Sequence, residues 1–166
     1  IITGNVEEAQ KTVANLVADE NSSANELHQA AYVGIQLNQM ALAAEALEKS
    51  SRKDACCDPA KLMELAVAHV LLDQRNKALA PLNTDTDVYR QYPQMAMLKS
   101  DILNSLGQYP LALNTLQSVE RDIERKLDQN AAETESFENS PLLYTYDFSL
   151  KGFLFRIGQT CRGTGN

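Results

Sequence analysis

Small and apolar residues fall in short runs along most of the chain, broken at intervals by one or two polar or glycine turn residues, which is the layout of paired helices rather than of strands. The runs predict a helix over about 6–19, then pairs at about 24–38 with 40–51, 59–73 with 75–83, and 93–106 with 109–128. Start signals agree. Asp58-Pro59 and Tyr92-Pro93 put proline near a first helical turn, where its missing N–H costs least, and Ser23 and Asp58 suit N-caps. Pro81 conflicts with the pattern: inside a helix it removes the bond to the Lys77 carbonyl, so that helix should kink or stop early and leave 83–91 as loop.

The runs repeat. Gly4-Asn5-Val6-Glu7-Glu8-Ala9, Asn38-Gln39-Met40-Ala41-Leu42-Ala43, Asp73-Gln74-Arg75-Asn76-Lys77-Ala78 and Gly107-Gln108-Tyr109-Pro110-Leu111-Ala112 share one pattern, and their alanines (Ala9, Ala43, Ala78, Ala112) are 34, 35 and 34 residues apart. Other positions keep the register. Sixteen residues before the later alanines stand Leu27, Leu62 and Ala96; twelve before stand Ala31, Ala66 and Ser100; four after each alanine stands Val13, Leu47, Leu82 or Leu116. Small residues at facing positions let two helices approach closely. One such hairpin cannot bury both of its faces and must stack on the next. Over about residues 4–127 this pattern resembles the tetratricopeptide repeat (TPR) family.

The resemblance implies an all-α, right-handed superhelical stack of helix-turn-helix hairpins: a second helix of a truncated repeat at about 4–20, repeats at 24–57, 58–92 and 93–128, a polar insertion at 129–141, and a partial fourth repeat or docked tail at 142–166. Starting Ile1-Ile2-Thr3-Gly4 without Met, the chain is expected to be part of a longer one. Phe153-Leu154-Phe155-Arg156-Ile157-Gly158-Gln159 echoes Ile102-Leu103-Asn104-Ser105-Leu106-Gly107-Gln108, which favours a helix near the end. Against it, Tyr144, Tyr146, Phe148 and Leu150 alternate with polar residues, and Lys151-Gly152 suits a two-residue turn, so a hairpin or an extended docked segment stays open.

Composition narrows the function. The net charge is −7 and Lys and Arg do not cluster, which excludes the basic stripe that nucleic-acid binding needs. No stretch reaches the ~18 apolar residues of a membrane helix. Three cysteines make no disulfide framework; vicinal Cys56-Cys57 is either a strained redox bridge or two reduced thiols, and the sparse, odd count favours thiols and a reducing, cytoplasmic setting. His28 and His69 belong to no metal-ligand spacing. Asp85 and Asp87 lack the glycine and distal glutamate of a calcium loop. Glu7-Glu8 and the acids at Glu120, Asp122 and Glu124 are expected to be solvated helix faces. Gly34, inside a helix, is expected at a close helix–helix contact. No enzyme activity and no cofactor are expected.

In TPR stacks the first helix of each pair lines a concave groove. That resemblance assigns His28, Tyr32, Ile35 and Gln36, then Met63, Val67, Val70 and Leu71, then Met97, Asp101 and Asn104 to a groove that binds a peptide or helix of another protein. Apolar residues on such a wall mark either a binding site or a docked segment of the same chain. The chaperone-tail clamp of one TPR subclass is missing: its positions hold His28, Tyr32, Glu64, Gln94 and Leu98. The alternative role is an assembly or regulatory scaffold acting through self-association as a homo-oligomer.

Overall fold

The computed structural model describes residues 4–54, 58–121, 123, 140–143 and 146–165, and among these all regular structure is helical, with no strand. The protein is therefore all-α. In chain order the helices are α1 (Gly4–Ala18), α2 (Ala24–Gln36), α3 (Met40–Lys53), α4 (Pro59–Leu71), α5 (Arg75–Ala78), α6 (Thr86–Gln91), α7 (Pro93–Ser105), α8 (Tyr109–Gln117) and α9 (Leu150–Thr164).

The starts follow the caps. Ser23 and Glu26 form a capping box, the Glu26 carboxylate accepting the Ser23 N–H at 2.7 Å and the Ser23 hydroxyl accepting the Glu26 N–H at 3.3 Å. The Ser23 N–H first, and then the Ser23 hydroxyl, which also donates to the carboxylate at 2.7 Å, hold the Glu26 carboxyl below the usual carboxylate range. Asp58 accepts the Ala60 N–H at 2.9 Å, and Pro59, Pro93 and Pro110 occupy first-turn positions.

The turns repeat in three dimensions as they do in sequence. Asn38, Asp73 and Gly107 each take the left-handed conformation, with φ of 58°, 58° and 72°. Glycine enters this region without cost, and Asn and Asp are among the side chains that tolerate it best. After each, a glutamine N–H reaches back to the helix it leaves: Gln39 to Gly34 O (2.8 Å), Gln74 to His69 O (2.8 Å) and Gln108 to Leu103 O (2.9 Å). This closure satisfies carbonyls that the helix end would otherwise orphan. The next helix begins immediately afterwards, so the two helices lie side by side.

The small residues sit where those helices meet. Ala31, Ala66 and Ser100 are fully buried, as are Ala43, Ala78 and Ala112 opposite them. A Cβ on Gly34 would lie 3.3 Å from that of Ala43, which explains a glycine inside a helix. Helices α2 and α3, and α7 and α8, pack as pairs; α4 packs on α3 and on α7, and α1 packs on α2 and α3. Lysines bind across units: Lys49 Nζ donates to the Val17 carbonyl (2.7 Å), at the negative end of α1, and Lys53 Nζ to the Ser22 carbonyl (2.7 Å), just before the cap of α2.

One expectation is met and two change. The second helix of the middle pair, placed over 75–83 but expected to kink or stop early at Pro81, does stop early: it lasts one turn and ends at Ala78. Residues 86–91, expected as loop, form α6, because Tyr89 is buried and its hydroxyl binds the Leu82 carbonyl and accepts from Lys99 Nζ at 2.8 Å. Helix α8, expected to run to 128, ends at Gln117 and passes into turns at 118–121.

At the end of the chain, Lys151 and Gly152 lie in the first turn of α9 rather than in a hairpin, with Ser149 as N-cap. Gly158 lies inside α9; the left-handed residue is Gly165 (φ 79°), so the echo of Gly107 is seven residues out of register. Helix α9 packs on α8 and α7, with Gly163 set so closely on the Tyr109 ring that a Cβ there would overlap it. Cys56 and Cys57, and residues 129–139 of the insertion expected at 129–141, lie outside the described residues.

Candidate functional site

The helix register brings the predicted groove residues onto one face of α2, α4 and α7, and they divide into three environments there. In the middle, Met63, Val67 and Met97 are buried in one core that also holds Leu142, Leu143 and Phe148. Leu142, Leu143 and Phe148 of the chain itself therefore supply part of what covers this face. The Ser140 side chain interacts with the Tyr32 hydroxyl and accepts the N–H groups of Leu142 and Leu143, both at 3.2 Å.

Around Tyr32 lies a buried polar cluster. The Glu64 carboxylate, 1% exposed, accepts the Tyr32 hydroxyl at 2.7 Å, and His28 Nε2 stands 3.4 Å from its other oxygen. The rings of His28 and Tyr32 meet at 4.7 Å between centroids. Burial raises the Tyr32 phenol well above its usual range, and the hydrogen bond to Glu64 adds to the rise. Burial also holds His28 below its ordinary value near 6.5, against the attraction of Glu64 and with help from Lys61. Gln94, fully buried on α7, has no hydrogen-bond partner for either atom of its amide. The positions that a chaperone-tail clamp would use thus hold the protein's own carboxylate, already paired with neighbouring side chains.

The third unit is tied to α9. Arg156, 7% exposed, donates from Nε to both carboxylate oxygens of Asp101 (2.9 and 2.8 Å), and its Nη2 lies 2.8 Å from Oδ2. Arg156 Nη1 also donates to the Asp147 carbonyl at 2.7 Å. Burial raises the Asp101 carboxyl above its usual range, and the guanidinium pulls it back in part. One helical turn further, Asn104 Nδ2 donates to the Thr160 hydroxyl at 2.9 Å. Asp101 and Asn104 are therefore internal contacts of the protein.

What stays open among the described residues is the edge at the C-terminal ends of α2 and α4. Ile35 and Val70 are half-buried, Gln36 is exposed, and Leu71 is 58% exposed. A second opening lies where α5 stops: a cleft of about 300 Å³ whose lining includes Leu62, Leu65, Ala80 and Pro81, with His69 Nε2 3.2 Å from Glu48 on its wall. His69 bridges α3 and the turn after α4, since its Nδ1 also meets Gln74 Oε1 at 3.2 Å.

Sequence reasoning missed the roles of Glu64, Arg156 and Thr160. Two of them left a signal: Glu64 is the one acid within the apolar run of α4, and Arg156 interrupts the apolar sequence between Phe153 and Ile157. Among the described residues no group of three or more His, Cys, Asp or Glu is placed to hold a metal ion, and no helix is long and apolar enough to cross a membrane. Comparison with protein-family models, curated proteins and solved structures gives no match for this chain.

Proposed function

We propose that the protein is a TPR-like stack whose inner wall recognises an apolar helix or peptide of another protein, along the open edge formed by Ile35, Val70 and Leu71. One observation carries this reading. The deep positions of the wall, Met63, Val67 and Met97, are already filled, whereas Leu71 at the end of α4 is 58% exposed beside half-buried Val70. Exposed leucine next to a filled apolar core gives a partner a place to extend that core. Exposed Gln36, at the end of α2, can bond a partner's backbone. The recurring left-handed turns and buried small residues support the stack itself, and the net charge of −7 argues for a neutral or basic partner.

A peptide-display selection against the protein tests the proposal, with Leu71→Glu as the counter-target. Peptides carrying apolar residues at helical spacing should be recovered and should lose most of their affinity for L71E, whose far-UV circular dichroism stays native. Peptides that bind both proteins equally would overturn it. Val67, only 3% exposed, is unsuitable for this experiment because a glutamate there would disrupt the core rather than the surface.

A further inference from the structure

The cleft where α5 stops exists because the second helix of the middle pair is cut short. Helix α3 runs ten residues beyond Ala43, to Lys53, and α8 runs five beyond Ala112, to Gln117, whereas α5 ends on Ala78 itself. Pro81 has no N–H to send to the Lys77 carbonyl, which takes the Ala80 N–H at 3.1 Å instead, and the chain passes into turns. Space that further turns of α5 would fill beside α3 and α4 is left as the cleft of about 300 Å³.

This cleft joins apolar side chains to a surplus of positive charge. Leu62, Leu65 and His69 share one face of α4; Leu65 and His69 are buried, and Leu62 is half-buried, as is Pro81 on the far side of α5. Glu48, the one carboxylate in the lining, is shared between two neighbours: its Oε1 stands 3.2 Å from His69 Nε2 and its Oε2 stands 3.4 Å from Arg52 Nη2. Lys77, exposed on α5, has no hydrogen-bond or ion-pair partner among the described residues. In a chain of net charge −7, the opening thus presents a cation that nothing in its lining neutralises.

We infer that this cleft binds a small aliphatic carboxylate, its body against Leu62 and Leu65 and its charge at Lys77. Charge complementarity selects this class. A single unpaired ammonium matches a single negative charge, a cationic ligand meets repulsion from Arg52 and Lys77, and a neutral one leaves Lys77 without a partner. Size sets the length of the body: the cleft lies at the small end of the roughly 300–1,000 Å³ that ligand sites span, so the apolar chain is short. The lining shares no residue with the Ile35–Leu71 edge, so the inference does not rest on peptide recognition there.

Carbon–proton NMR of the methyl groups tests it, with hexanoate as the probe. The signals of Leu62, Leu65 and Ala80 should shift together and saturate with one Kd, while those of Leu71 stay in place. Hexan-1-ol, which keeps the body without the charge, and acetate, which keeps the charge without the body, should each bind at least about tenfold more weakly. Lys77→Gln should weaken hexanoate roughly fivefold or more and leave the spectrum outside the cleft unchanged, since the side chain is exposed. Arg52→Gln, also exposed, frees Glu48 from one cation and should weaken hexanoate too; it replaces K77Q if that variant folds poorly. L71E should bind hexanoate as wild type does, so this inference and the peptide edge fail separately. An absence of saturable shifts at the cleft methyls, equal binding of the alcohol, or an unchanged affinity in K77Q overturns the inference. Shifts centred on Leu71 overturn it as well.

Discussion

Replacing Arg156 with Met removes the guanidinium that anchors α9 while keeping most of its apolar volume. Asp101 is then left with its carboxylate 31% exposed and without the cation that both its oxygens accept from. Stripping one partner from a fully buried pair costs about 3–5 kcal/mol, and from a surface pair about 0–1. With Arg156 9% and Asp101 31% exposed at the side chain, the cost falls between these limits, at about 2–3 kcal/mol, including roughly 1 for the lost bond to the Asp147 carbonyl. With a urea m-value of about 2 kcal/mol/M the midpoint drops by about 1–1.5 M. The double variant Asp101→Leu/Arg156→Met buries no unpaired charge and should lose less than about 1 kcal/mol. Urea titration followed by circular dichroism gives the midpoints, and hydrogen exchange over 150–164 shows whether α9 is the part released. A single-variant loss under about 0.5 kcal/mol, or single losses that simply add in the double variant, would refute the reasoning.

Two further predictions concern the hairpins and the buried cluster. Gly34→Ala should stay within about 1 kcal/mol of wild type, because its gain in helix propensity offsets a tight 3.3 Å contact with Ala43, whereas Gly34→Leu should cost about 2–3 kcal/mol by pushing α2 from α3; thermal melts compare them. His28 is held neutral by burial, so as pH falls below its ordinary 6.5 the unfolded chain takes up the proton first and stability drops until the folded state protonates too. His28→Gln should flatten the wild-type decline in urea midpoint between neutral and mildly acidic pH by up to about 1.4 kcal/mol per pH unit, and identical pH profiles for the two proteins would count against the buried, neutral histidine.

The hairpin register was legible because it depends on short-range chemistry. A left-handed turn residue, a small residue facing it, and a leucine one helical turn later are needed wherever two helices meet closely, so Asn38, Asp73 and Gly107 recur with Ala43, Ala78 and Ala112. Ser23 and Asp58 were legible as caps for the same reason, since a cap binds N–H groups two or three residues away. Where a distant residue decided the outcome, the pattern misled. Helix α6 forms in a stretch that carries no strong helix signal, because Tyr89 is drawn to the Leu82 carbonyl and to Lys99 of α7. Gly158 looked like a turn glycine from its neighbours, but the left-handed residue is Gly165, and Arg156 and Thr160 hold the intervening helix straight against Asp101 and Asn104.

The candidate site was harder to read for a related reason. A repeat pattern says which side chains share a face, and says nothing of what lies against that face. Asp101 and Asn104 have the look of solvent-facing recognition residues, yet their partners lie 55 and 56 residues downstream. Glu64 looks like a charge in the wrong place until Tyr32, 32 residues earlier, donates to it. Each of these contacts consumes binding capacity that the bare register would grant to a partner. What remains among the described residues is the edge at Leu71, 58% exposed at the end of α4. Subtracting the internal contacts from the repeat pattern locates the proposed recognition edge more sharply than either alone.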